Sequence, residues 1–246
     1  MVLVTATAGE AGLSDGKRQH PPLGERRRVE LARAAAALGC ARWELLDYAD
    51  SGWGEPTGDE PPSDEPAGPT FAELDPAEPA ARLAEILREE DADVLTVYDV
   101  HGGYGHADHV QVHHVGVLAA ELAGTPVVLE ATIDRGRLVR VAQVLRWIPG
   151  VSRLIPPSGF TSAFVARAEL THQVDVRRHL RAKRAALAAH HSQATGGGSV
   201  RTLALLLRLP GPVLGLALGR EWFRERGRQP AGVLLDDVFA SLRPRG

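Results

Sequence analysis

Short runs of β-branched and other apolar residues alternate along the chain with longer stretches whose apolar positions recur at three- and four-residue spacing. Residues 2–7, VLVTAT, have the strand pattern. Residues 27–38 carry Val29, Leu31, Ala34, Ala35 and Leu38 at helical spacing, and Gly39 follows where a left-handed residue can close the helix. Residues 43–46 form a second strand candidate, 76–91 a helix with Leu83, Ile86 and Leu87 on one face, and 93–98 an apolar strand. A helical pattern runs from His106 to Leu122, a strand follows at 126–129, and a further helix at 134–147. This alternation predicts βα units on a parallel sheet, an α/β class. Between them lie a glycine-rich turn at 9–16 and a surface loop at 50–69, rich in Pro, Gly and acids.

A chain of 246 residues is long enough for one sizeable core, so a single domain over 1–246 is expected. The part from about Thr171 onward is expected to pack back on the sheet. Its helix at 177–191 has an alanine-rich face (Ala182, Ala185, Ala186, Ala189) suited to close packing but poor as a core by itself.

Charge narrows the partner class. With 28 basic and 31 acidic side chains the net charge is -3, which gives no general attraction to nucleic acid, so a small molecule is the expected partner. Cys40 is the single cysteine, which excludes an intramolecular disulfide and a cysteine zinc site; a metal must be held by His, Asp or Glu. The apolar stretch at 203–218 is interrupted by Arg208, Pro210, Gly211 and Pro212, whereas a membrane span needs about 20 mostly apolar residues. The first residues carry no basic leader, and a cytoplasmic location is the expectation.

The chemistry concentrates after the third strand, in Tyr98-Asp99-Val100-His101-Gly102-Gly103-Tyr104-Gly105-His106-Ala107-Asp108-His109. Five of the ten histidines fall between His101 and His114, and ligands of open α/β sheets bind outside the carboxyl ends of strands. Glycines let the backbone come close to a ligand. His106 and His109, three apart, can project from one helical face, and a carboxylate beside an imidazole can fix its tautomer for zinc. A single histidine at a helix start, such as His113 or His114 taken alone, is more often a capping or solvated residue than a ligand. No GxxxxGK[ST], GxGxxG or GxSxG occurs, so neither a nucleotide loop nor a serine nucleophile is supported.

The run Gly102-Gly103-Tyr104-Gly105-His106-Ala107-Asp108-His109 resembles the second motif, G-x-G-H-P-D-H, of the LmbE-like (PIG-L) zinc-dependent N-deacetylases, with Ala107 in place of proline. Further stretches agree in order: residues 3–12 resemble the family's second strand and turn, Arg27-Arg28-Val29-Glu30 its R-x-x-E helix, and Asp50-Ser51-Gly52 the D-S-G of members acting on mycothiol-pathway substrates. Val174-Asp175-Val176, Lys183, Ala186-Leu187, His190 and Ser192-Gln193 resemble its C-terminal tract, and residues 219–223 its late G-x-E-x-F element. The resemblance implies a Rossmann-like three-layer α/β fold with a mainly parallel sheet. It implies a zinc (Zn) site with His109 as metal ligand, and His106 stabilising an oxyanion or protonating the leaving amine. Asp108 would orient an imidazole, Tyr104 would be an active-site tyrosine, and Arg27 and Asp50 would contact the sugar of an N-acyl amino sugar or its conjugate.

The family's first motif, A-H-P-D-D-E, supplies two zinc ligands and the general base, and no H-P-D-D occurs in these 246 residues. The first strand and helix of the fold are therefore expected to be missing. A catalytic zinc generally takes three protein ligands, so the resemblance implies a deacetylase that is inactive as written. A non-catalytic sugar-binding remnant is the alternative, and a histidine-rich metal surface on an unrelated α/β fold a third reading.

Overall fold

The computed structural model describes residues 1–11, 22–52, 68–137, 139, 164–192 and 207–243. They form two compact units. One comprises Met1–Leu74 and Arg178–Ala217, the other Asp75–Arg177 and Leu218–Gly246.

In the first unit, strand β1 (Val2–Thr7) pairs in parallel with β2 (Arg42–Tyr48), in the register Val2 to Arg42 through Thr5 to Leu45. The register shifts before Thr7, next to Asp47, whose φ of 62° marks a bulge. Helix α1 (Leu23–Leu38) connects them and is closed by Gly39 in the left-handed conformation, as the sequence predicts. The small buried residues Ala34 and Ala35 let α1 pack closely on α5 (Leu180–Ala189). Of the predicted alanine face of α5, Ala186 is buried, Ala182 and Ala189 are half-buried and Ala185 is exposed. All but the last residue of helix α6 (Gly211–Leu218) belongs to this unit's second segment.

The second unit is built on a four-stranded sheet of order β3-β4-β6-β5. β3 (Val94–Tyr98) and β4 (Val127–Thr132) pair in parallel. β6 (Arg220–Glu225) runs antiparallel to both β4 and β5 (His172–Asp175). The α/β class holds, with a sheet that is parallel in part: β6 returns beside β4 in the opposite sense, and β5 pairs on the far side of β6. Helix α2 (Ala77–Glu89) buries Ala80, Leu83, Ala84 and Leu87 at three- and four-residue spacing and packs on α4 (Ala107–Ala123), which follows the short helix α3 (Gly102–Gly105). Gly116 of α4 lies so close to β3 that a Cβ there would collide with Val97. One sheet face joins Val97 and Val128 to Ala120 of α4, and the other gathers Val127, Leu129 and Phe223. This alternation is the pleat's period of two.

The helix expected at 134–147 begins at Arg135 to Arg137, and the rest of it lies outside the described residues, as does most of the 50–69 loop. No helix of the described residues is long and apolar enough to cross a membrane.

Candidate active site

β3 ends at Tyr98, and the next residue, Asp99, is fully buried. Its Oδ1 accepts from the backbone N–H groups of His101 (3.1 Å) and Gly103 (3.0 Å), and its Oδ2 accepts from the hydroxyl of Thr132 at the end of β4. The Thr132 oxygen accepts in turn from Val165 N. One carboxylate thus holds the start of the glycine-rich loop and ties it to the neighbouring strand. Gly102 has φ +64°, and a Cβ there would stand 2.8 Å from Val110 N, so both conformation and space require glycine.

At the end of this loop His106 is the N-cap of α4: its Nδ1 accepts from Asp108 N at 3.1 Å. Asp108 lies buried in the first turn, where the helix end favours negative charge. The His109 ring stacks on Tyr98 with centroids 3.9 Å apart, and it meets the edge of Tyr104 at 5.0 Å and the ring of His106 at 5.0 Å. Its Nδ1 stands 3.3 Å from the carbonyl oxygen of Gly102. A carbonyl can only accept, so this nitrogen carries the proton and the lone pair falls on Nε2, the arrangement in which histidine ligates metals.

Of the flanking residues, Tyr104 is exposed, whereas partial burial of Tyr98, with a contribution from Tyr104, pushes the Tyr98 phenol up to about 12. His113 is buried, with Nδ1 3.1 Å from Tyr98 O and 4.0 Å from Glu130, and serves the fold.

Arg27 and Asp50 belong to the first unit, where the turn after β1 lies between them. The Arg27 guanidinium donates to Gly9 O, and a Cβ on Gly9 would collide with it. Asp50 accepts from Ala11 N (3.2 Å) and Gly52 N (3.2 Å), and its own N–H donates to Glu10 (2.9 Å). Burial lowers the Arg27 pKa from its ordinary value, against the opposing charges of Asp50, Glu30 and Glu10. On the same helix, Glu30 is buried and accepts from Ser192 twice, from its N–H (2.8 Å) and its hydroxyl (2.7 Å). Burial also lowers the pKa of His190, two residues before that serine; Glu30 opposes the shift and Arg27 adds to it.

Tyr104, His106, Asp108 and His109 therefore gather at the head of α4, and Arg27 and Asp50 around the turn after β1. Asp99, Thr132 and Glu10 are not among the residues that the sequence singles out for a role. An Asx residue directly after a strand and three before a glycine was the available signal for Asp99. Nothing local marks Thr132, which acts from 33 residues away.

The chain as a whole is similar to known proteins. The family described as GlcNAc-PI de-N-acetylase (PIG-L) matches residues 1–120. A 1D-myo-inositol 2-acetamido-2-deoxy-alpha-D-glucopyranoside deacetylase of Nocardioides sp. is 34% identical over 275 residues, covering 98% of this chain and 89% of the relative. The enzyme of the same name from Geodermatophilus obscurus is 34% identical, covering 98% and 88%. Among solved structures, the N,N'-diacetylchitobiose deacetylase of Pyrococcus horikoshii superposes with a TM-score of 0.51 at 21% identity, over 98% of this chain and 77% of that one, a likeness of fold. A fold of this class, a glycine-rich turn running into His-x-Asp-His, and relatives aligned over almost the whole length place the chain in the PIG-L family of de-N-acetylases.

Proposed function

We propose that the protein acts as a zinc-dependent N-deacetylase on an N-acetylglucosaminyl conjugate, with the glucosaminyl-inositol named for its relatives as the first substrate to try. The observation that carries this reading is the head of α4, where His109 has its Nδ1 committed to Gly102 O and so turns the lone pair of Nε2 toward ligation. The donor chemistry fits zinc, and His109 would hold it. Zinc, when bound, lowers the pKa of a water to about 7 and polarises the acyl carbonyl.

The chain's own residues take the remaining roles. His106 accepts at Nδ1 as the helix cap, so its neutral ring offers an Nε2 proton, suited to donate to the oxygen that gains charge. This favours the oxyanion role over delivery of a proton to the amine, which needs the doubly protonated ring and hence a broken cap. Asp108 orients imidazole from the first turn. Tyr104, exposed beside both histidines, offers a hydroxyl to substrate. Arg27 and Asp50 bind sugar hydroxyls.

Within these 246 residues His109 is the matched zinc ligand, since no H-P-D-D is present. The test is zinc content and deacetylation rate, side by side, for this chain and for one preceded by a strand bearing H-P-D-D. The chain alone should give weak zinc binding and background hydrolysis, and the extended protein stoichiometric zinc and turnover. Stoichiometric zinc and turnover by the 246 residues alone would mean that other residues complete the site.

A further inference from the structure

We infer that Asp99 is a positioning residue for His109: by holding the loop at residues 101–103 it presents the Gly102 carbonyl that fixes the tautomer of the His109 ring. The inference rests on the reading of His109 as a zinc ligand and deepens it, since neither the motif nor its spacing assigns a role to Asp99.

Asp99 is fully buried, and its carboxylate accepts from His101 N at 3.1 Å, from Gly103 N at 3.0 Å and from the Thr132 hydroxyl. The backbone of Asp99 takes part as well, since its carbonyl accepts from Gly102 N at 2.8 Å. Gly102 is thereby held from both sides, its own N–H on the Asp99 backbone carbonyl and the next residue's N–H on the Asp99 carboxylate. A peptide plane fixed at both ends has a fixed carbonyl direction. That carbonyl points at Nδ1 of His109, 3.3 Å away. In water the two neutral tautomers of imidazole exchange, and the one kept in a protein is set by the hydrogen bond made at the other nitrogen. Here the carbonyl selects the proton on Nδ1.

The Thr132 hydroxyl gives the clamp its reference point. It bonds Asp99 while accepting from Val165 N at 3.2 Å, so the loop is registered against β4 and the segment beyond it, not only against itself. A second histidine of the same helix supplies an internal control. His113 has its Nδ1 on the carbonyl of Tyr98, upstream of the loop and independent of the Asp99 side chain. Loss of the clamp should therefore disturb His109 and spare His113.

The experiment is a long-range proton–nitrogen NMR correlation on the metal-free protein with labelled histidine, at a pH well above the imidazole range, with the His109 signals assigned through His109→Gln. In the wild type both His109 and His113 should show the Nδ1–H pattern. In Asp99→Ala, His109 should move to the averaged pattern of solvated imidazole while His113 is unchanged. Asp99→Asn keeps an oxygen acceptor for the two N–H groups and should restore the wild-type His109 pattern. Thr132→Val, close in shape, should give a mixture of tautomers, and it serves as the readout if Asp99→Ala does not fold.

Zinc titration against a chromophoric chelator on the H-P-D-D-bearing protein is the second measurement. Asp99→Ala should weaken zinc by about tenfold or more, the scale of losing an outer partner of a ligand. An unchanged His109 tautomer in folded Asp99→Ala, or in Thr132→Val, overturns the inference whatever zinc does. A tautomer change together with zinc binding indifferent to His109→Gln leaves the clamp standing and removes His109 from the metal site.

Discussion

The two clusters hold their functional side chains in opposite ways. At the head of α4 these contacts are short in sequence: Asp99 reaches His101 and Gly103, two and four residues on, and His109 reaches back seven residues to Gly102, with Thr132 a distant anchor. Around α1 the contacts are long: Arg27 to Gly9 spans 18 residues, Asp50 to Ala11 spans 39, and Glu30 to Ser192 spans 162. A short-range site can be assembled as its strand and helix form, because little loop entropy separates its partners. A long-range clasp exists only once the unit has closed. The first suits a side chain that must be aimed, the second a surface that must be held together.

The largest expected effects lie at the short-range cluster and concern chemistry. In the H-P-D-D-bearing protein, His109→Ala should lose both zinc and activity, whereas His106→Ala should keep zinc and lose about 10²-fold or more in turnover, the scale of one preorganised oxyanion donor. Metal analysis beside initial rates checks the split. Equal loss of zinc in both variants would break the division of labour between the histidines.

Next is the long-range clasp, where the effect should be on stability. Glu30→Ala leaves the Ser192 N–H and hydroxyl without their buried acceptor and should cost about 1–3 kcal/mol in urea unfolding. Glu30→Gln, which keeps an acceptor, should cost less. Gly116→Ala is the matching test of packing in the second unit: the added methyl meets Val97 and should cost about 1–3 kcal/mol by overpacking. A Glu30→Ala protein as stable as wild type would show that the clasp is incidental.

The smallest expected effect is on pH dependence. In His172 burial lowers the imidazole pKa below its ordinary value, against the pull of Glu225, and in His190 burial does so against the pull of Glu30. The unfolded chain then binds the proton first, near 6.5, so the stabilisation is complete above that pH and is lost as pH falls through the lower folded values. His172 is fully buried, and its Nε2 has no hydrogen-bond partner among the described residues, so it should show this more clearly. Urea midpoints measured downward from neutral pH should decline less steeply in His172→Gln and His190→Gln than in wild type.

Most of the elements were legible because each rests on a local period. The apolar spacing of 76–91 became α2, the closing role of Gly39 is seen in its left-handed φ, and the run 93–98 became β3. The strand at 126–129 extends to Thr132, because the polar Glu130 and Thr132 at its end are buried by partners the sequence does not show. The antiparallel return of β6 beside β4 was hidden for the same reason, since strand order is a pairing between residues about 90 apart and leaves no local period.

By itself the sequence determined the α/β alternation, the glycine-rich turn and the His-x-Asp-His that opens α4, because these follow from backbone preferences and helical spacing within a few residues. Tertiary structure alone decided that Asp99 organises the loop, that Thr132 anchors it, and that Glu30 closes on Ser192. Each of these is a buried polar group whose cost of desolvation is met by a partner brought close only by folding, and that requirement cannot be read from neighbours along the chain.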